Sequence, residues 1–119
     1  MTRLLVAAAL TAVVSSAAAA QSVPVTLSEW KVEMTRDTLR AGTATFRVKN
    51  EGTMVHALYV EGQGIKKETP QIAAGQTMSL SVTLVPGKYE IYCPMSESTH
   101  KMAGMKKTIV VIEGAKKGQ

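Results

Sequence analysis

Residues 77–84 alternate strictly, with Met78, Leu80, Val82 and Leu84 on one side and Thr77, Ser79, Ser81 and Thr83 on the other. A period of two belongs to a pleated strand with one apolar and one wet face, and such a strand is not stable alone. Shorter lengths of the same pattern recur along the chain, punctuated by Gly, Pro and Asn. Residues 23–30 alternate loosely and 31–34 can pair with them, before a bend over 35–42. Residues 43–49 carry Phe46 among β-branched neighbours, and the Asn50-Glu51-Gly52 turn leads into 55–60. Residues 61–74 have no strong period, Pro86-Gly87 turns the chain into 89–93, and 107–112 form the last run. Seven or eight half-apolar strands bury their faces by packing as two sheets, so the expected fold is all-β, a Greek-key β-sandwich. Helix is expected only as a turn within 61–74 or in the loop after Cys93. Leu84-x-Pro86-Gly87-x-Tyr89 has the spacing of a tyrosine corner; a tyrosine that simply packs fits the same residues.

The 119 residues allow one domain. Residues 1–20 read as a signal peptide: Arg3 gives a positive start, 4–14 an apolar core, and Ala18-Ala19-Ala20 a cleavage site before Gln21. An uncleaved anchor fits less well, because the apolar stretch is short and no basic cluster follows it. The expectation is an exported, periplasmic or secreted domain over residues 21–119, with no stable membrane insertion after cleavage. Loss of Arg3 lowers the formal net charge from +5 to +4, thirteen basic against nine acidic residues. Lys66-Lys67, Lys106-Lys107 and Lys116-Lys117 concentrate some of that surplus. Few aromatics interleave with them, so nucleic acid is not an expected partner, whereas a weak preference for an acidic protein is.

The chain has one cysteine and two histidines. An exported domain with a single thiol has no internal disulfide, and an exposed thiol would oxidise. Burial protects it, and so does a metal. Cys93 opens a loop that also holds His100 and three of the seven methionines, Met95, Met102 and Met105. The second histidine, His56, follows the turn at Asn50. With period two, Tyr89, Ile91 and Cys93 share the inward face of a strand that Pro94 ends, since proline has no amide hydrogen to donate. A Greek-key order can set the His56 strand beside it, and the loop to the final strand is long enough to fold His100 and a methionine back. One thiolate, two imidazoles and a thioether are the ligand set of an electron-transfer copper site. Zinc accepts the first three but brings no redox role.

Asn50-x-Gly52-x-x-x-His56, Pro86-Gly87-x-Tyr89-x-x-Tyr92-Cys93-Pro94 and His100-x-x-x-Gly104-Met105 together resemble the cupredoxin family of type 1 blue copper proteins, over about residues 25–113. The resemblance implies equatorial ligands His56, Cys93 and His100, an axial Met105, and one mononuclear copper. It implies one-electron carriage between larger redox proteins, with His100 near the surface as the exit. The chain departs from many relatives in having Ser96-Glu97-Ser98-Thr99 before the second histidine and Ala57 after the first. Backbone amides of Ala57 and Met95 are expected to donate to the sulfur. A monomer is expected.

A different class of function is a copper-binding module for storage, delivery or resistance, using the loop methionines. A sandwich that has lost copper and serves as an interaction domain is disfavoured by the presence of all four ligands. No enzyme is expected. With both histidines committed, none remains for a second copper site or as the base of a nucleophile.

Overall fold

The computed structural model describes residues 20–96 and 99–114. The expected signal peptide falls almost wholly outside them. Among the described residues, no helix is long and apolar enough to cross a membrane.

Alternation decides which strands form and which way they face. On β1 (Gln21–Ser28), Val23, Val25 and Leu27 point inward; on β4 (Gly42–Asn50), Ala44, Phe46, Val48 and Asn50 do; on β7 (Thr77–Leu84), Val82 and Leu84 are the buried pair. With β2 (Lys31–Met34) they make a four-stranded sheet in the order β2-β1-β4-β7. β1 and β4 run parallel and β4 and β7 antiparallel.

The second sheet has five strands. Its members are β3 (Thr38–Arg40), β5 (Tyr59–Gly62), β6 (Ile65–Glu68), β8 (Gly87–Tyr92) and β9 (Lys106–Ile112), in the order β3-β9-β8-β5-β6. Leu39, Val60, Tyr89, Ile91, Ile109 and Val111 fill its inner face. Each such side chain, fully buried, contributes about 1.5–3 kcal/mol, and the two inner faces share one core. The fold is the expected all-β Greek-key sandwich.

Nine strands form among the described residues, not seven or eight. Residues 35–42, expected to bend, contain β3, a three-residue edge strand pairing parallel with β9. Three residues with one buried side chain are too few to show a period. Residues 61–74 contain β6, turned back from β5 through Gln63 and Gly64 at positive φ. Its side chains are exposed or half-buried, so no apolar face marked it. The strand expected over 55–60 begins only at Tyr59. His56 instead makes an isolated bridge to Ile72, donating from N at 3.1 Å and accepting at 2.7 Å. The one described helix, α1 (Thr99–Met102), lies in the loop after Cys93. Tyr89 is a tyrosine corner: its hydroxyl donates to Val85 O at 2.8 Å and accepts from Val85 N at 3.0 Å.

Candidate metal centre

The second sheet brings the distant residues together. β5 pairs antiparallel with β8, setting Tyr59 opposite Tyr92. His56, just before β5, therefore meets Cys93, just after β8. β8 also pairs antiparallel with β9, and the segment between them closes on itself. Cys93 N donates to Met105 O at 3.0 Å, Met105 N to His100 O at 3.0 Å, and His100 N to Met95 O at 3.4 Å. That return places His100, on α1, over the end of β8.

The three side chains converge in the interior, with His56 and Cys93 fully buried and His100 2% exposed. Nδ1 of His56 and Nδ1 of His100 are 3.2 Å apart, and Sγ of Cys93 is 3.8 Å from the first and 3.6 Å from the second. A point in their plane equidistant from all three lies about 2.1 Å from each, close to the ~2.0–2.1 Å and ~2.3 Å at which imidazole nitrogen and thiolate hold a late first-row ion. His56, Cys93 and His100 thus form a type 1 copper-like donor cluster.

Protonation favours the same use. Burial, then the neighbouring His100 ring, lowers the His56 pKa, with Glu29 opposing; the ring is kept neutral, as a ligand must be. Burial pushes the Cys93 thiol up, while backbone amides of Ala57 and Met95 pull it down. These are the two amides the sequence pointed to. A metal entering here displaces the thiol proton.

The methionines separate by burial. Met105 is fully buried and its backbone joins both Cys93 and His100. Met102 is 82% exposed and points away from any shared interior. Met95 is half-buried against the core.

His100, expected near the surface, is itself covered: it lies beneath Trp30, which is 46% exposed, with ring centroids 5.2 Å apart and planes at 82°. The loop on which His100 sits is tied back by the Met95 and Met105 hydrogen bonds, which draw the ring inward.

Three residues of the site were not assigned a role from the sequence. Asn50 is fully buried, donates from Nδ2 to Met54 O at 2.8 Å and Ile72 O at 2.9 Å, and accepts from Gly52 N at 2.9 Å. It braces the His56 loop through backbone on both sides of it, which Ala57, with no polar side chain, cannot do. A lone asparagine at the end of an inward-alternating strand was the available signal. Glu29 lies against His56 and Trp30 against His100; nothing in their local sequence announces it, apart from tryptophan being unique in the chain.

A two-sheet β-sandwich with a buried His-Cys-His cluster at one end defines the class as a small blue-copper-type domain. The chain belongs to the family described as the cupredoxin-like domain, whose profile matches residues 2–111. Among solved structures it is similar to dithionite-reduced auracyanin from Roseiflexus castenholzii, at 18% identity and TM-score 0.68, covering 78% of this chain and 98% of that one. Auracyanin A, a "blue" copper protein from Chloroflexus aurantiacus, matches at 20% identity and TM-score 0.59, covering 75% and 99%. A laccase from Pediococcus acidilactici matches at 17% identity and TM-score 0.61, covering 80% of this chain and 27% of that one. At these identities the likenesses establish the fold. No curated protein sequence matches the chain.

Proposed function

We propose that the chain is an exported small blue copper protein that holds one mononuclear type 1 copper and carries single electrons between redox proteins. The observation that carries the reading is the buried triangle of two imidazole nitrogens and one sulfur, sized for a single ion. His56, Cys93 and His100 would hold the ion, and Met105 would be a fourth, weaker donor. Bound copper supplies the Cu(I)/Cu(II) couple. Two imidazoles, a thiolate and a weak thioether would suit both oxidation states, and a sandwich that holds the donors beside the ends of two strands and on a tied loop would keep them still between states. The amides of Ala57 and Met95 donate to the sulfur and so adjust the potential.

Both histidines stand in this one cluster, which leaves none for the further copper that an oxidase uses; the proposed role is a carrier and not an enzyme. The auracyanins, which match over nearly their whole length, support the same role. The partners are redox proteins with an acidic docking surface facing pairs such as Lys106-Lys107, and the protein acts as a monomer.

Copper delivery is the second reading, and the exposed Met102 and Met54 favour it. Burial of all three equatorial donors favours retention. Optical and EPR spectra of the copper-loaded protein test the first reading. An intense visible thiolate-to-Cu(II) band that Cys93→Ser abolishes is expected. A colourless Cu(II) protein, or colour that survives the substitution, would refute it. Rapid loss of Cu(I) to a competing chelator would support delivery instead.

A further inference from the structure

His56 and His100 lie far apart in the chain, yet consecutive residues reach one each. Glu29 and Trp30 form the tight turn between β1 and β2, where Trp30 adopts φ 63°, a strained conformation for a bulky residue. Oε1 of Glu29 is 3.5 Å from Nε2 of His56. That nitrogen is buried and has no hydrogen-bond partner. The same carboxylate oxygen accepts from Thr53 N at 2.6 Å, Met54 N at 2.9 Å and Thr53 Oγ1 at 3.3 Å. On the other side, the Trp30 ring stands edge-on to His100.

Two glycines allow both histidine loops to close on this turn. A Cβ at Gly52 would lie 2.5 Å from Glu29 Oε1, and one at Gly104 would lie 2.9 Å from Trp30 O. Gly104 also sits at φ 123°, which a side chain would strain.

A histidine that offers Nδ1 to a metal carries its proton on Nε2, and a buried N–H requires an acceptor. Glu29 Oε1 faces that atom. The 3.5 Å separation is a few tenths of an ångström beyond a hydrogen bond. A small rotation of the Glu29 side chain, which is 29% exposed, closes it. We infer that the Glu29–Trp30 turn is a two-residue clamp on the metal centre. Glu29 accepts the Nε2 proton of His56 and so keeps Nδ1 free and aimed inward, while Trp30 fixes the plane of His100. The inference rests on the ligand set proposed above. Glu29 and Trp30 are positioning residues; neither touches the ion. The Glu29 carboxylate also adds a negative charge behind one ligand, which favours Cu(II) over Cu(I).

The test compares wild type with Glu29→Gln, Glu29→Ala, Trp30→Leu and Trp30→Phe. In the metal-free protein, nitrogen NMR of the imidazoles reports the tautomer directly. The clamp requires His56 in the Nε2–H form, with a slowly exchanging proton that Glu29→Ala exposes and Glu29→Gln, still an acceptor, partly protects. A His56 Nδ1–H form in wild type overturns the clamp, whatever metal the protein binds. In the copper protein, Glu29→Ala should weaken metal affinity about 10- to 100-fold, and Glu29→Gln should raise the reduction potential by removing the charge. In the Cu(I) protein, the ring-current shift of the His100 protons should vanish in Trp30→Leu and persist in Trp30→Phe. Unchanged affinity, potential and His100 shifts, in variants that still show the thiolate band, defeat the clamp and leave the copper reading standing. If wild type shows no thiolate band, the copper reading falls, and the metal-free NMR still decides the clamp.

Discussion

Asn50 shows how one side chain can hold a ligand loop without touching the ligand. It is fully buried, and its three hydrogen bonds go to the backbone of Gly52, Met54 and Ile72. Ile72 in turn exchanges both backbone hydrogen bonds with His56. Asn50→Ala leaves buried backbone groups unpaired and should destabilise the metal-free protein by about 2–3 kcal/mol, read from urea denaturation. Asn50→Asp should not restore it, because a carboxylate cannot donate to two carbonyls. The methionines give a second residue-scale prediction. Met105→Leu removes a weak donor that favours Cu(II), so copper should be retained at a raised potential. Met102→Leu, at a position 82% exposed, should leave the potential unchanged; a shift in that variant alone would move the axial assignment. The donor types at this scale were legible in the sequence, because thiol, imidazole and thioether are properties of single residues. The carboxylate that faces His56 was not, because Glu29 becomes its neighbour only when two loops meet.

At the scale of elements, strand pairing places the site, and tyrosines secure the pairing. Tyr89 ties β8 to the turn before it through two hydrogen bonds to Val85. Tyr89→Phe should cost about 1–2 kcal/mol without moving the copper spectrum. Tyr92 donates to Glu61 Oε2 at 2.7 Å across the β5–β8 pair. Burial and then Glu61 raise the Tyr92 pKa, and Glu68 first, then burial, raises that of Tyr59. A hydroxyl whose folded pKa is raised stabilises the fold fully below its unfolded value and loses that stabilisation as pH climbs through the folded one. Stability should therefore hold up to about pH 10 and fall above it. The double variant Tyr59→Phe/Tyr92→Phe should flatten that alkaline limb in denaturation midpoints measured against pH, and an unaltered limb would contradict the assignment. The strands with a buried face, β1, β4, β7, β8 and β9, were readable as period-two runs. β3 and β6 were not: one is three residues long and the other has no buried face, and neither carries enough pattern to exceed chance. The His56 segment misled for the opposite reason. Residues 56–58 are a braced loop with buried side chains, held by Asn50 and by Thr69, which accepts from Leu58 N at 3.0 Å, while Val55 before them is exposed.

For the whole molecule, the core that joins the two sheets contains Phe46, Leu27, Tyr89, Ile91 and Ile109, and most of it owes nothing to a metal. Removing copper should leave a cooperatively folded sandwich with an unchanged far-ultraviolet spectrum and a lower melting temperature, since a metal that binds only the folded state stabilises it by mass action. A metal-free protein that is unfolded would contradict this. Charge acts at the same scale. Lys106 is exposed and Lys107 half-buried at the start of β9, beside the metal loop. Replacing both by alanine should slow electron exchange with an acidic partner at low salt and reduce its salt dependence; a rate indifferent to both would remove the docking proposal. The order of residues along the chain determined the all-β class, the alternating faces and the types of the candidate donors, since side-chain chemistry and a period of two are local quantities. Tertiary structure alone decided that His100 lies under Trp30, that Asn50 supports one loop, and that one turn reaches both imidazoles. Those facts depend on which segments pass close enough to touch: a side chain at Gly52 would meet the Glu29 carboxylate, and one at Gly104 the Trp30 backbone.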